Sequence, residues 1–424
     1  MNKTLGSQNK TQIKSKKKKL FQPPWKYSEG FIIAFILLLT GFIIEIITPQ
    51  PGISIPAFPF NMYALMAFIT TLVFLHIFYR DEYFVRWLST IPAATSSIVL
   101  ITTLTILMGV FNQENPDSDG FPAAIGLTHV KNSWVFLMAQ LYVLTSLGLA
   151  VIHRSVPLKK KNFGFILNHA GLWIVIAAAS LGTGDLRRLR MELHQDEPVW
   201  HAYDNNGQVQ QLPFALELIN FDIEEYPPQL AIADSHTGRL SDPEQRPLPY
   251  IEKGTITTLL DWTITVDEFI PMAMEDEGGF SYSEETGAPP VAKVRAVNDR
   301  TGESQEGWIS CGSFMYDALY LFLDGKNVLV MTMPEPKKYQ SHVIARTMND
   351  EPRDLYIEVN KPPKVKGWRL YQLSYNQNMG KWSDLSVIEV VKDPWLPLVY
   401  AGFIMLFAGA VYIFWIGKEL KEEE

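Results

Sequence analysis

Residues 168–191 read NHAGLWIVIAAASLGTGDLRRLRM. A polar pair, Asn168 and His169, opens an apolar run that ends in a charged cluster beginning at Asp185. An ionisable side chain inside a membrane-spanning helix is energetically costly, and it is therefore a candidate functional residue. The stretch raises two questions: whether this segment crosses a membrane, and what its histidine does there.

The overall composition hides a division of the chain. The chain has 47% hydrophobic and 19% charged residues, which is close to the average of soluble proteins. Apolar residues crowd into 31–181 and 396–416, whereas 183–395 is rich in Asp, Glu, Pro and Gly. A bilayer core requires about 20 apolar residues per helix. Six windows satisfy this requirement: 31–48, 61–79, 92–111, 133–152, 163–182 and 396–416.

The positions of lysine and arginine predict the orientation of these helices, because basic flanks stay in the cytoplasm. The first 28 residues contain a KKKK run (Lys16 to Lys19) and no acidic residue. Counting helices forward from a cytoplasmic N-terminus places the basic loops around Arg80 and Lys160 inside and the acidic loop NQENPDSDG outside. Both termini are then cytoplasmic, and the region between the fifth and sixth helices is extracytoplasmic.

These features predict a membrane protein with an α-helical transmembrane bundle of about six helices and a large β-rich extracytoplasmic domain inserted before the last helix. The predicted regions are a basic cytoplasmic tail (1–29), a five-helix transmembrane region (30–182), the β-rich domain (183–394), a final transmembrane helix (395–416) and a short cytoplasmic tail (417–424). A cleaved signal peptide is the competing interpretation of the first window, but no clean cleavage site follows it.

The region 183–394 shows the alternation that is typical of strands. In PFALELINFDIEEY (213–226), Phe214, Leu216 and Leu218 alternate with less apolar residues until the pattern slips. TITVDEF, VAKVRAV, LYLFLDGKNVLVMTM and DLSVIEVV are similar runs, and Asp324-Gly325 indicates a hairpin. A sandwich or open barrel of antiparallel strands fits these signals.

Several function classes are disfavoured. The net charge of −8, with basic residues concentrated at predicted cytoplasmic flanks, argues against a nucleic-acid surface and favours contact with the lipid bilayer. The chain has no phosphate-binding glycine loop, HExxH or GxSxG motif, so no catalytic residue is assigned. Cys311 is the only cysteine, which excludes an intramolecular disulfide and a CxxCH haem-attachment motif, and it is interpreted as a small core residue.

The placement of the histidines is more informative. Of the 8 in the chain, His76, His153 and His169 belong to membrane segments or their ends, and the predicted topology puts all three toward the cytoplasmic side. His169 lies deepest. A neutral imidazole there is either an interhelical hydrogen-bonding group or an axial ligand of haem iron. Gly164 and Gly171 allow another helix, or a flat macrocycle, to come close to it.

At these residues the sequence resembles the ResB family, also called CcsB, of System II cytochrome c biogenesis proteins. NFGFILNHAGLWIVIAAASLGTGDLRRLRM (162–191) is similar to the family's core helix with its FxxNHxG-like start and Gly-Asp-Arg exit. LPFALELINFDIEEYP (212–227) resembles its first strand, GWRLYQLSY (367–375) its Gly-Trp-Arg signature, and DPWLPLVYAGFIMLFAGAVYIFW (393–415) the start of its last helix. In order, these blocks cover about 92–416.

The chain also departs from the family pattern. The windows 31–48 and 61–79 precede the usual four-helix core and look like an N-terminal extension. WLPLVY replaces a start of the last helix that commonly contains glycine, and Leu373 stands where the family often has serine.

The resemblance implies a haem-handling role in a bacterial inner (cytoplasmic) membrane, with the β-rich domain on the periplasmic side. Such a protein moves haem b across the membrane and presents it to apocytochrome c. Carried over through NHAG, the family's axial haem ligand falls on His169, whose nitrogen would bind the haem iron. His76 and His153, near the interface where headgroups can solvate them, are lesser candidates for cofactor binding.

The resemblance also implies a CcsA-like haem-handling membrane protein as partner. The partner's tryptophan-rich motif is absent from this chain, so the chain is expected to be a non-autonomous subunit of a holocytochrome c synthase (haem lyase) complex. Two haem-free alternatives are a membrane-anchored extracytoplasmic receptor or sensor and a transporter. The short predicted inner loops disfavour a sensor, and the lack of two repeated halves disfavours a transporter.

Overall fold

The computed structural model describes residues 24–48, 52–113, 120–242, 244 and 247–422, with side chains up to Trp415. The chain forms two compact units, one of helices (Met1–Leu186 with Asp393–Glu424) and one of strands (Arg187–Lys392). The lysine run at Lys16 to Lys19 and most of the acidic loop NQENPDSDG lie outside the described residues.

The described part of the first unit contains eight α-helices. They are α1 (Tyr27–Ile47), α2 (Phe60–Tyr79), α3 (Tyr83–Leu88), α4 (Ile91–Val110), α5 (Phe121–Ala124), α6 (Trp134–Ser155), α7 (Phe163–Leu181) and α8 (Leu396–Glu422). Short 3-10 helices at Val130–Asn132, Lys160–Asn162 and Gly182–Gly184 lie between them.

Six of these helices, α1, α2, α4, α6, α7 and α8, have the length and apolar composition needed to cross a membrane, which confirms the six helical windows. Their boundaries differ slightly from the expected ones, since α1 already begins at Tyr27 and the backbone of α8 stays helical to Glu422. Large apolar side chains such as Ile77 and Phe78 on α2 are more than half exposed. Such surface is unfavourable in water and fits contact with lipid.

Glycines bring α7 and α8 into close contact. A Cβ atom placed on Gly171 would lie 2.6 Å from the carbonyl oxygen of Gly402, and one placed on Gly409 would clash with the backbone of Asn168. The Asn168 Nδ2 donates across the interface to the carbonyl oxygen of Leu406 at 3.0 Å. Small residues at such interfaces let two helix backbones approach closely in a membrane. A second helix therefore occupies the space that Gly171 leaves, rather than a macrocycle.

The Asp185 carboxylate forms hydrogen bonds with residues near α2 and α8 at the other end of this helix pair. It accepts hydrogen bonds from the backbone N–H of Phe58 (2.8 Å), from the Asn61 Nδ2 (2.7 Å) and from the Trp395 Nε1 (2.6 Å). These donors lie just before α2, at its start and just before α8. Trp395 also packs on Gly182. The tryptophan of WLPLVY, which departs from the family pattern, thus contributes a hydrogen bond and an interhelical contact.

The second unit is built from strands with short connections. They are β1 (Arg187–His194), β2 (Pro198–Tyr203), β3 (Val209–Glu225), β4 (Leu230–Asp234), β5 (Ile256–Leu259), β6 (Trp262–Ile270), β7 (Ala273–Asp276), β8 (Gly279–Tyr282), β9 (Val291–Asn298), β10 (Ser304–Ser310), β11 (Leu321–Phe322), β12 (Asn327–Met331), β13 (Pro336–Arg346), β14 (Arg353–Glu358), β15 (Lys364–Val365), β16 (Trp368–Tyr375) and β17 (Leu385–Lys392). All pairings between these strands are antiparallel.

An eight-stranded sheet in the order β14-β13-β3-β2-β1-β17-β16-β15 encloses the first core. The sheet curls, because β16 near one edge contacts β13 and β14 at the other. Inside the curl, the Ser341 hydroxyl lies 2.6 Å from the Gln372 Oε1 and 2.7 Å from the Ser386 hydroxyl. This sheet therefore takes the form of an open barrel with a small polar group in its interior.

The strand β3 explains the slip in the alternation of PFALELINFDIEEY. Leu218 and Phe221 are both buried, so the inward register changes between them. The pairing of β3 with β13 shifts at the same place: Val343 is opposite Leu218, and His342 is opposite Asn220. One extra residue in a strand is a β-bulge, which reverses the faces of the residues beyond it.

A second core lies between a four-stranded sheet, β10-β9-β6-β5, and a three-stranded sheet, β11-β12-β4. The predicted hairpin at Asp324-Gly325 joins β11 to β12, and the Asp324 carboxylate accepts hydrogen bonds from the backbone N–H groups of Lys326 and Asn327, each at 2.7 Å. The region between α7 and α8 therefore contains two hydrophobic cores, where the sequence indicated a single sandwich or barrel.

Candidate functional site

The three membrane histidines lie at one end of the helical unit. His76 is in the last turn of α2, His153 is near the end of α6, and His169 is in the second turn of α7. The rings of His76 and His153 are 6.1 Å apart, edge to face. The loop that joins α6 to α7 lies at the same end of the helical unit. We call this part of the unit, defined by the three histidines, the histidine end.

The hydrogen bond of His169 selects one form of its ring. Its Nδ1 lies 2.9 Å from the carbonyl oxygen of Phe165, one turn earlier in the same helix. A carbonyl oxygen only accepts, so we assign the hydrogen to Nδ1, which leaves the lone pair on Nε2. A backbone bond to one ring nitrogen is the usual arrangement when the other nitrogen ligates a metal. The neighbouring Asn168 makes an interhelical hydrogen bond to α8.

An apolar groove of about 250 Å³ lies between α2, α6 and α7; His169 does not line it, but the α7 residues that do line it follow His169 in the chain. Ala170, Trp173 and Ile174, one, four and five residues after His169, form its α7 wall. The Trp173 ring is fixed by a hydrogen bond from its Nε1 to the carbonyl oxygen of Leu144 (3.0 Å) and by stacking on Phe68 at 6.3 Å. A rigid apolar wall of this kind suits a flat, hydrophobic ligand.

The groove is too small to enclose a haem. Pockets that surround a drug-sized ligand measure about 300–1,000 Å³, and a haem is larger than most such ligands. A haem bound at the histidine end would therefore also have to contact another chain or lipid.

His76 and His153 contact each other rather than His169 in the ring contacts of the described residues. His169 stacks instead on Phe165, with ring centroids 3.6 Å apart. The described residues contain no group of three or more His, Cys, Asp or Glu side chains that could hold a metal ion. His169 is the residue that would hold a haem, through its imidazole nitrogen.

A buried polar cluster that the sequence did not reveal lies where α1 ends and α6 begins. Glu45, with 1% of its side chain exposed, accepts hydrogen bonds from the His129 Nε2 (2.7 Å) and from the backbone N–H groups of Gly52 and Trp134 (both 2.8 Å). The signal was present, because Glu45 is an acidic residue inside the first apolar window. Its partners all fix chain segments to one another, so its role here is structural.

The second unit has a pocket of about 270 Å³ lined by Cys311, Glu225, Phe314 and Trp382, among others. Burial raises the pKa of the Cys311 thiol to about 11, so the thiol stays protonated at neutral pH and is a poor nucleophile. Burial also raises the pKa of the Glu225 carboxyl above its usual value, although the Lys381 ammonium at 3.4 Å opposes this. These properties agree with a packing role for Cys311.

The histidine end combines the His169 imidazole, which bonds the backbone through Nδ1, with an apolar groove lined by the residues that follow it on α7. Its three histidines come from three different helices, so it exists only in the folded helical unit. No family model matches the chain, and no curated protein matches it either.

Proposed function

We propose that this chain is the ResB/CcsB-type membrane component of System II cytochrome c biogenesis, which moves haem across the membrane and presents it for covalent attachment to apocytochrome c. The observation that carries the proposal is the Nε2 of His169. The backbone bond at Nδ1 leaves this nitrogen able to ligate iron, and the residues that follow His169 on α7 line an apolar groove. The four sequence blocks that resemble the family suggest haem as the ligand, and the His169 nitrogen and the apolar groove support a partial contact with it.

The open groove supports a role as one half of a complex. The histidine end would contact only part of a haem, so further contacts would come from another protein, and a CcsA-like membrane protein is the partner that the resemblance implies. The chain would then act as a non-autonomous subunit of a holocytochrome c synthase. The exposed apolar faces of its helices provide surface for a helical partner as well as for lipid.

A co-expression experiment tests this function. We expect covalent haem on an exported apocytochrome c when this chain and a CcsA-like protein are produced together, and none when either is omitted. Haem staining of the denatured cytochrome, which detects only covalent haem, is the measurement. Maturation by this chain alone would contradict the need for a partner. Failure of the pair, with both proteins present in the membrane, would contradict the proposed function.

The proposal places the chain in a bacterial inner membrane, with the histidine end toward the cytoplasm and the β-rich unit on the periplasmic side. A reporter that is active only outside the cytoplasm should be active when fused after Asp234 or Asn298, which lie at the ends of β4 and β9. It should be inactive when fused after Lys160, in the basic loop before α7. The reverse pattern would put His169 on the outer side and remove the argument for haem uptake from the cytoplasm.

A further inference from the structure

Arg154 is stacked one ring away from the candidate haem ligand. Its guanidinium carbon lies 3.9 Å from the centroid of the Phe165 ring, and the centroid of that ring lies 3.6 Å from that of His169, with planes inclined by only 22°. Two groups at these spacings cannot share one face of a phenyl ring. Phe165 is therefore the middle layer of a three-layer stack with Arg154 on one face and His169 on the other.

The stack holds the arginine in place without using its hydrogen-bonding capacity. The carbonyl oxygen of Arg154 accepts a hydrogen bond from the Asn162 Nδ2 at 3.1 Å, which closes the C-terminal end of α6. Within the described part of the chain, no carboxylate forms a salt bridge with Arg154. A guanidinium has five N–H donors in a planar fork that matches a carboxylate. The guanidinium is thus an exposed cation, stacked on Phe165, that is able to bind an anion.

The direction of the stack relates the arginine to a haem. When an imidazole ligates iron, the macrocycle lies perpendicular to the bond between iron and nitrogen, whereas that bond lies in the plane of the imidazole. The normal of the imidazole ring is therefore parallel to the macrocycle. Phe165 and Arg154 are therefore displaced from His169 in a direction parallel to the plane of a bound macrocycle. The two stacking distances, 3.6 and 3.9 Å, together place the guanidinium toward the rim of that macrocycle. The carboxylates of a haem are on that rim.

We propose that Arg154 binds a carboxylate of the haem that His169 ligates, so that the histidine end selects tetrapyrroles with free acid side chains. The inference rests on the proposed function and adds a second contact to it. His169 holds the centre of the macrocycle, Arg154 holds one edge, and Phe165 sets the separation between them. One ligand and one edge contact together fix the rotation of the macrocycle, which a single axial bond does not.

A lipid phosphate is the other anion that could reach a basic residue at a helix end. Such a contact between Arg154 and lipid would form without haem, and added anionic lipid would compete for it. The two sources are separated by comparing haem with its dimethyl ester, in which both carboxylates are neutral while the iron and the ring are unchanged.

The test titrates the full-length chain, purified with its partner, with ferric haem and with haem dimethyl ester, and follows the Soret band. We expect the wild type to bind haem about tenfold or more tightly than the diester, as a charge-assisted bidentate pair provides. Arg154→Gln should weaken haem binding to the level of the diester and leave diester binding within about twofold of the wild type. Lys159→Gln, which removes a neighbouring charge outside the stack, should change neither affinity.

Three outcomes would overturn the inference. Equal weakening of haem and diester by Arg154→Gln would mean that Arg154 acts only by packing Phe165 against His169. Unchanged haem affinity in that variant would leave the lipid phosphate as the anion. Equal wild-type affinity for haem and diester would exclude a carboxylate contact. A wild type that binds neither ligand would instead refute the proposed haem function itself, and is distinguishable from all three.

Discussion

Replacing His169 with glycine is expected to abolish the Soret band of the complex, and exogenous imidazole is expected to restore it. If His169 ligates haem, the variant removes that nitrogen ligand and leaves a space of the size of an imidazole at the same place. Free imidazole can fill that space and supply a nitrogen, although it cannot restore the covalent tether to α7. We would measure Soret absorbance and maturation of a co-expressed cytochrome c, both normalised to protein level, with and without imidazole.

Asn168→Ala is the matched control, because Asn168 is the adjacent residue but faces α8. Loss of its interhelical hydrogen bond should cost about 0.6–2 kcal/mol, so this variant should show a lower protein level with an unchanged Soret band per molecule. If His169→Gly gives the same result, with reduced level, normal spectra and no response to imidazole, His169 is a packing residue and not a ligand.

The membrane helices could be predicted from sequence because their signal is local. A window of about 20 apolar residues identifies a span without any knowledge of its neighbours, and the structure has six helices where the six windows lie. Alternation likewise indicated the strands, and even its failure in β3 had a physical cause, the bulge between Leu218 and Phe221. The number of cores in the β-rich unit depends on which strands pair, and alternation contains no information about pairing.

The candidate site was only partly predictable, because its contacts depend on how separate helices pack. His169 stood out because an ionisable residue within an apolar run is unusual at the level of the sequence. The residues around His169 gave no such signal in the sequence. Arg154 lies in another helix, and its position on Phe165 depends on how α6 and α7 pack. Gly171 could have faced a helix or a macrocycle, and only the contact with Gly402 shows that it faces α8. Glu45 had a visible signal, but its partner His129 lies 84 residues away.

The close contact of α7 and α8 leads to the second large effect, which is on stability. A Cβ atom at Gly171 would lie 2.6 Å from two backbone atoms, the carbonyl oxygen of Gly402 and the amide nitrogen of Leu406. Backbone atoms cannot move aside as a flexible side chain can, so the two helices must separate. Overpacking in a well-packed core costs about 1–3 kcal/mol even when side chains can adjust. We therefore expect Gly171→Val to lose most of its folded protein and Gly171→Ala to lose less.

Gly109→Val provides the matched control. Gly109 is also in a membrane helix, but a Cβ atom placed on it would have no atom within 4 Å, apart from those of its own helix and chain neighbours. The same chemical change there should leave the thermal unfolding midpoint in detergent close to that of the wild type. The midpoint of Gly171→Val should be lower by several degrees, or the protein should not be recovered. Because α7 carries His169, any Gly171→Val protein that survives should also bind haem less well per molecule. Equal midpoints for the Gly109 and Gly171 variants would show that α7 and α8 do not pack through Gly171, and would remove the reason for assigning that face of α7 to α8 rather than to a ligand.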